Sequence, residues 1–202
     1  SEGLYAEDSR VKTRVRIGAL ADNGEKMYMG YIGPGAIAGF EFYESLDLKW
    51  YTEEACRIAI AMLDAKYAPV GRMSVVVDNG FGGLLFHEAC GHSLEASSVS
   101  KGASEFSGKL GQQVASPILT LIDDGSMPGK WGSLNIDDEG MKTRKNILIE
   151  NGALKGYMSD RLNGRRMEMG ATGSSRRQSY RLFPFPYFLY VSSSGNLRLL
   201  LG

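Results

Sequence analysis

The sequence predicts an α+β fold, antiparallel sheets with attached helices, on three observations. Asn151-Gly152 stands between two strand-like runs, residues 145–150 and 153–158, and Asn-Gly in that setting is a strong hairpin signal. Residues 10–19 alternate charged with apolar or β-branched side chains, which is strand periodicity. Ala55, Ile58, Ala59, Met62 and Leu63 recur at the spacing of one helix face. No internal repeat is present.

Taken in order, the strand over 10–19 leads to Asp22-Asn23-Gly24, a hairpin turn, and to a returning strand over 26–32. The glycine-rich stretch 33–39 lacks the Lys-Ser/Thr of a phosphate loop and the spacing of a dinucleotide fingerprint, so it reads as a structural loop. Thr52, followed by Glu53 and Glu54, is the expected N-cap of an amphipathic helix that ends before Pro69, with Cys56 as a packing residue. The chain then divides near Pro69 into a first part, 1–69, and a second, 70–202.

The second part opens on Met73-Ser74-Val75-Val76-Val77, an expected β-branched strand, and the glycines after it permit a sharp turn into a helix from about residue 82 to 96. Residues 97–113 are small, polar and glycine-rich, and suit either a mobile flap or a surface loop. A buried strand over 118–122 ends in a turn at Asp123-Asp124-Gly125, although those aspartates could instead orient a metal-bound histidine. Asp137, Asp138 and Glu139 lack the twelve-residue pattern of a calcium loop and read as another turn. A last helix over 159–169 is started by Ser159 or Asp160 and stopped by Gly170.

Composition narrows the function. The 23 basic and 23 acidic residues cancel, which argues against a nucleic-acid groove, and the arginines at 161, 165, 166, 176, 177 and 181 suit a solvated face or intersubunit ion pairs. Two cysteines form no disulfide framework, and the default setting is a reducing cytoplasm. No run of about twenty apolar residues exists to span a membrane. The aromatic stretch 183–191 is too short for that and is an aggregation hazard if exposed.

The chemistry concentrates in His87-Glu88-Ala89-Cys90-Gly91-His92, which holds both histidines of the chain and a carboxylate between them. A hydrolytic zinc takes neutral imidazoles as ligands, keeps a position open for water and uses a nearby carboxylate as base. His87 and His92 are the candidate ligands and Glu88 the candidate general base. Five residues of separation would leave the histidines about 140° apart on a regular helix, so a shared metal demands a single wide turn of the π type between them. A rival reading makes Cys90 a nucleophile with one histidine as its base.

The run from Asn79 through His87-Glu88-Ala89-Cys90-Gly91-His92-Ser93-Leu94-Glu95 resembles the metal-binding segment of the TldD/PmbA metalloproteases, also called modulators of DNA gyrase, in the TldD-like branch with HExxxH. Residues 1–42, Leu121-Ile122-Asp123-Asp124-Gly125, Asp137-Asp138-Glu139-Gly140 and 170–179 resemble further segments of that family. The resemblance implies a cytoplasmic zinc peptidase that cleaves unfolded peptides or trims peptide precursors. It also implies a TldE/PmbA-like partner subunit or a homo-oligomer, with His87 and His92 as ligands and Glu88 as base. The family's third ligand is a cysteine near the C-terminus, and no cysteine or histidine follows His92 here. The start at Ser1 and the departure from the family pattern after Arg181 read as the middle portion of a longer enzyme with an altered end. The alternative is a non-catalytic, peptide-binding or assembly subunit of the same fold.

Overall fold

The structure is a computed structural model that describes residues 3, 5–77, 83–177, 185–186 and 191–192. Residues 78–82, with the glycines at 80 and 82, and all from 178 onward except 185–186 and 191–192 lie outside the described residues, and with them most of the aromatic stretch 183–191. The chain forms two compact units, one of Arg10–Arg72 with Pro128–Trp131 and the other of Ser1–Ser9, Met73–Met127 and Gly132–Gly202. Helices and small antiparallel sheets make up both, an α+β architecture.

In the smaller unit, β2 (Ile17–Asp22) and β3 (Met27–Ile32) form the expected hairpin, in register from Ile17↔Ile32 to Asp22↔Met27. Its turn is held by side chains. Asp22 Oδ1 accepts the Gly24 N–H and Asn23 Oδ1 accepts those of Glu25 and Lys26, the usual reason Asp and Asn favour such turns. The strand expected over 10–19 is broken: β1 (Thr13–Arg14) leaves the hairpin and pairs with β4 (Gly35–Ala36), where the Thr13 hydroxyl donates to the Ala38 carbonyl.

Helix α1 (Leu48–Leu63) covers one face of that hairpin through Ala55 and Ala59, which are fully buried. Its N-cap is Asp47, whose carboxylate accepts the Trp50 N–H, not Thr52, whose hydroxyl instead donates to the Leu48 carbonyl inside the helix. The cap therefore sits five residues ahead of the sequence expectation. Asp47→Ala is expected to cost about 1 kcal/mol, as cap removals do, and Thr52→Ala far less; urea unfolding of the two variants ranks them.

The larger unit is built on an antiparallel sheet of order β10-β5-β6-β7, comprising β5 (Leu121–Asp124), β6 (Lys145–Glu150), β7 (Ala153–Leu154) and β10 (Val191–Ser192). Asn151 and Gly152, at φ 49° and 78°, make the two-residue turn between β6 and β7, as Asn-Gly predicts. Leu94, Val99, Leu121, Leu148, Ile149, Leu154, Tyr157 and Met158 form the core over this sheet.

Three expectations change here. Strand β5 begins at Leu121, leaving Ile118 74% exposed, and it includes Asp123 and Asp124. Asp123 is a fully buried strand residue, tolerated because the Ser174 hydroxyl and the Asn146 amide both donate to its carboxylate. Residues 73–77 belong to no strand; with no sheet partner among the described residues, β-branched composition is insufficient to make one. The third change is the end of the chain's last named helix: α3 (Arg161–Arg166), capped by Asp160 through the Asn163 N–H, stops four residues before Gly170.

Residues 97–113 are tied down. Ser104 and Ser107 hydroxyls donate to the carbonyls of Ser93 and Val99, and the main chain exchanges bonds between Gly111, Gln112 and Leu154. Such fixing favours the surface-loop reading over the flap. Asp137 does form the expected turn, accepting N–H bonds from Glu139 and Met141, and a third from Ser175 fastens that turn to β8 (Ser175–Arg176), which pairs with β9 (Phe185–Pro186).

Candidate metal centre

The motif lies on a helical path that changes pitch twice. Helix α2 (Gly83–Phe86) runs into a π turn, His87–Gly91, where the His92 N–H bonds the His87 carbonyl five residues back. A 3-10 turn, His92–Leu94, follows, and Glu95 is extended, at φ −76° and ψ 128°. The wide turn demanded by the histidine spacing is thus present. Gly91 keeps ordinary helical angles and is buried.

With the extra residue taken up by the turn, the rings of His87 and His92 come to 4.6 Å between centroids, tilted 71° from one another. Donor atoms of His87, Glu88 and His92 all lie within 4.8 Å of one another. Tetrahedral ligands roughly 2.1 Å from a zinc stand roughly 3.4 Å apart, so modest side-chain rotations bring this set to bonding distance. Two imidazole nitrogens with a carboxylate beside them match the ligand and base chemistry of a hydrolytic zinc. The residues fit the metal.

Burial first, and the neighbouring His92 second, hold the His87 pKa below that of an ordinary imidazole, with Glu88 opposing. That favours the neutral ring, the form that ligates metal. The Glu88 side chain is 64% exposed and its Oε2 stands 3.8 Å from His92 Nε2. Cys90 turns the other way, packing against the core, and its thiol pKa is raised by burial. A nucleophilic cysteine needs the opposite shift, which counts against the Cys90 reading.

The carboxylate that meets His92 most closely is one the sequence reading did not single out. Glu95 Oε1 is 2.7 Å from His92 Nδ1, and its side chain is only 12% exposed. Burial raises the Glu95 pKa while the His92 contact pulls it down. The available signal was its place three residues beyond a candidate ligand on a helical path. Asp123 and Asp124, the alternative orienting groups, make other bonds, Asp123 in the buried cluster with Ser174 and Asp124 to Ser126.

Fold and donor set together describe an α+β chain in which three side chains with metal-ligating atoms stand close together. Comparison with known proteins adds the family. Residues 1–63 match the PmbA/TldA metallopeptidase central domain and residues 70–197 the PmbA/TldA metallopeptidase C-terminal domain. A metalloprotease TldD homologue of Haemophilus influenzae is 41% identical over 191 residues, covering 92% of this chain and 40% of its own length. A metalloprotease of Methanothermobacter thermautotrophicus is 32% identical over 176 residues, covering 87% and 38%. Among solved structures, TldE from Thermococcus kodakarensis superposes with a TM-score of 0.72 at 22% identity over 91% of this chain and 40% of its own. A candidate modulator of DNA gyrase from Bacteroides thetaiotaomicron gives 0.74 at 19% identity, covering 96% and 40%. The chain belongs to the PmbA/TldD metallopeptidase family, and it spans about 40% of the length of these relatives.

Proposed function

We propose that this chain carries the zinc-binding and catalytic-base residues of a peptidase that cleaves unfolded peptides or trims peptide precursors. The observation behind this reading is the π turn that draws His87 and His92 together beside an exposed Glu88. His87 and His92 would hold the ion. When bound, zinc supplies a Lewis acid that polarises a peptide carbonyl and makes water easier to deprotonate. Glu88, open to solvent, takes that proton and returns it to the departing amine. The substrate lies extended along a sheet edge, where main-chain bonding gives affinity without strict sequence choice. A cysteine after His92, the family's further ligand, is not in this sequence.

The relatives' names support a metalloprotease; a TldE-like partner subunit or a homo-oligomer, and a cytoplasmic setting, belong to the same proposal. None of the helices among the described residues is long and apolar enough to cross a membrane. A second reading is a non-catalytic peptide-binding or assembly subunit of the same fold.

Incubating the full chain with zinc and unfolded peptides of varied sequence separates the two. The peptidase reading expects cleavage that a chelator abolishes and that tracks unfolding of the substrate. Metal uptake and peptide binding with no cleavage would leave the assembly reading in its place, and dependence on one side chain would remove the sheet-edge mode.

A further inference from the structure

We propose that Glu95 positions His92, holding the ring with its hydrogen on Nδ1 and its Nε2 lone pair turned toward the donor group of His87 and Glu88. The two ring nitrogens face different carboxylates: Nδ1 stands 2.7 Å from Glu95 Oε1, and Nε2 stands 3.8 Å from Glu88 Oε2. An ionised carboxylate only accepts, so the hydrogen of the shorter contact belongs to Nδ1. In the neutral ring the lone pair then lies on Nε2, the nitrogen on the Glu88 side.

What distinguishes the two glutamates is how each is held. Glu88 rides on the π turn with its side chain 64% exposed, whereas the Glu95 side chain is 12% exposed. Glu95 stands where the helical path ends, and its main chain forms a parallel bridge to Met158. The Ala96 N–H donates to the Met158 carbonyl at 2.8 Å and the Met158 N–H to the Leu94 carbonyl at 3.0 Å. Leu94 and Met158 are fully buried in the core of the larger unit. The Ser97 side chain adds a bond to the Glu95 carboxylate. His92 is therefore oriented by a group anchored to the core, while Glu88 stays free to move a proton. Partners of this kind fix a ligand's tautomer and typically change metal affinity by about 10–100-fold. That consequence rests on the metallopeptidase reading; the ring orientation does not.

The chain has only two histidines, which makes the tautomer directly readable. Long-range proton–nitrogen correlation on the 15N-labelled, metal-free full chain at pH 8, with His87→Asn to assign the signals, should find His92 protonated on Nδ1. Glu95→Gln, whose amide oxygen still accepts, should keep that form. Glu95→Ala should shift His92 toward the Nε2–H form and weaken Co²⁺ binding by about 10–100-fold. A wild-type His92 protonated on Nε2 overturns the proposal without recourse to any variant, and so does a tautomer unmoved in a folded Glu95→Ala. A wild type that takes up no Co²⁺ but keeps Nδ1–H on His92, with the response to Glu95→Ala, removes the peptidase reading and upholds the role of Glu95.

Discussion

With zinc supplied, Glu88→Gln is expected to lower peptide cleavage by about 10²–10⁴-fold, the usual contribution of a general base, while peptide binding stays within twofold. Glutamine keeps the size and one oxygen of the side chain but cannot take a proton at neutral pH. Stability should not change, because the side chain is 64% exposed and its 3.8 Å approach to His92 is a solvent-screened contact. The donor group also contains Glu88, so a second measurement is needed to separate a base from a ligand. Co²⁺ affinity equal in wild type and variant, with cleavage lost, identifies the base. Affinity and cleavage falling together would make Glu88 a ligand, and unchanged cleavage would end its catalytic assignment.

The wide turn at the candidate site was legible because spacing is a strict constraint. Two histidines five apart can share an ion only if the helix widens, and the π turn over His87–Gly91 is that widening. Glu95 was less legible because its effect depends on a tertiary contact, the bridge to Met158, which no local pattern announces. The same distinction runs through the fold. Asn-Gly at 151–152 dictates its own turn through backbone preference, and the turn formed. Thr52 was expected to cap α1 because glutamates follow it, yet Asp47 does so, and Leu48, Trp50 and Tyr51 are carried into the first turns. Asp123 was expected in a turn because Asp-Asp-Gly is a turn-forming run; Ser174 and Asn146, distant in sequence, supply the bonds that let it stay buried in a strand.

Gly30→Ala should destabilise the smaller unit by about 3 kcal/mol, the upper range for overpacking a tight site. Gly30 is buried on β3 directly under α1, and an added Cβ would lie 2.2 Å from the Ala55 carbonyl oxygen and 2.6 Å from the Ala59 nitrogen. Both are backbone atoms and cannot rotate aside, so the helix must lift from the sheet. Ala55 and Ala59, fully buried in that contact, would be uncovered as it lifts. The loss matters because β2 and β3 form a two-stranded sheet, and such a sheet is marginal in water unless something packs on it. Gly18→Ala is the control within the same hairpin. Its Cβ would meet only the Gly30 oxygen at 3.7 Å and the Tyr31 Cβ at 3.9 Å, ordinary contacts, and Gly18 is exposed. Removing glycine's extra freedom there should be neutral or stabilising by roughly 0.5–1 kcal/mol. Urea unfolding, with hydrogen exchange read over residues 17–63, compares them: equal effects at the two glycines would mean that close approach of the helix does not govern this unit, whereas loss of protection in Gly30→Ala alone ties its stability to one missing methyl group.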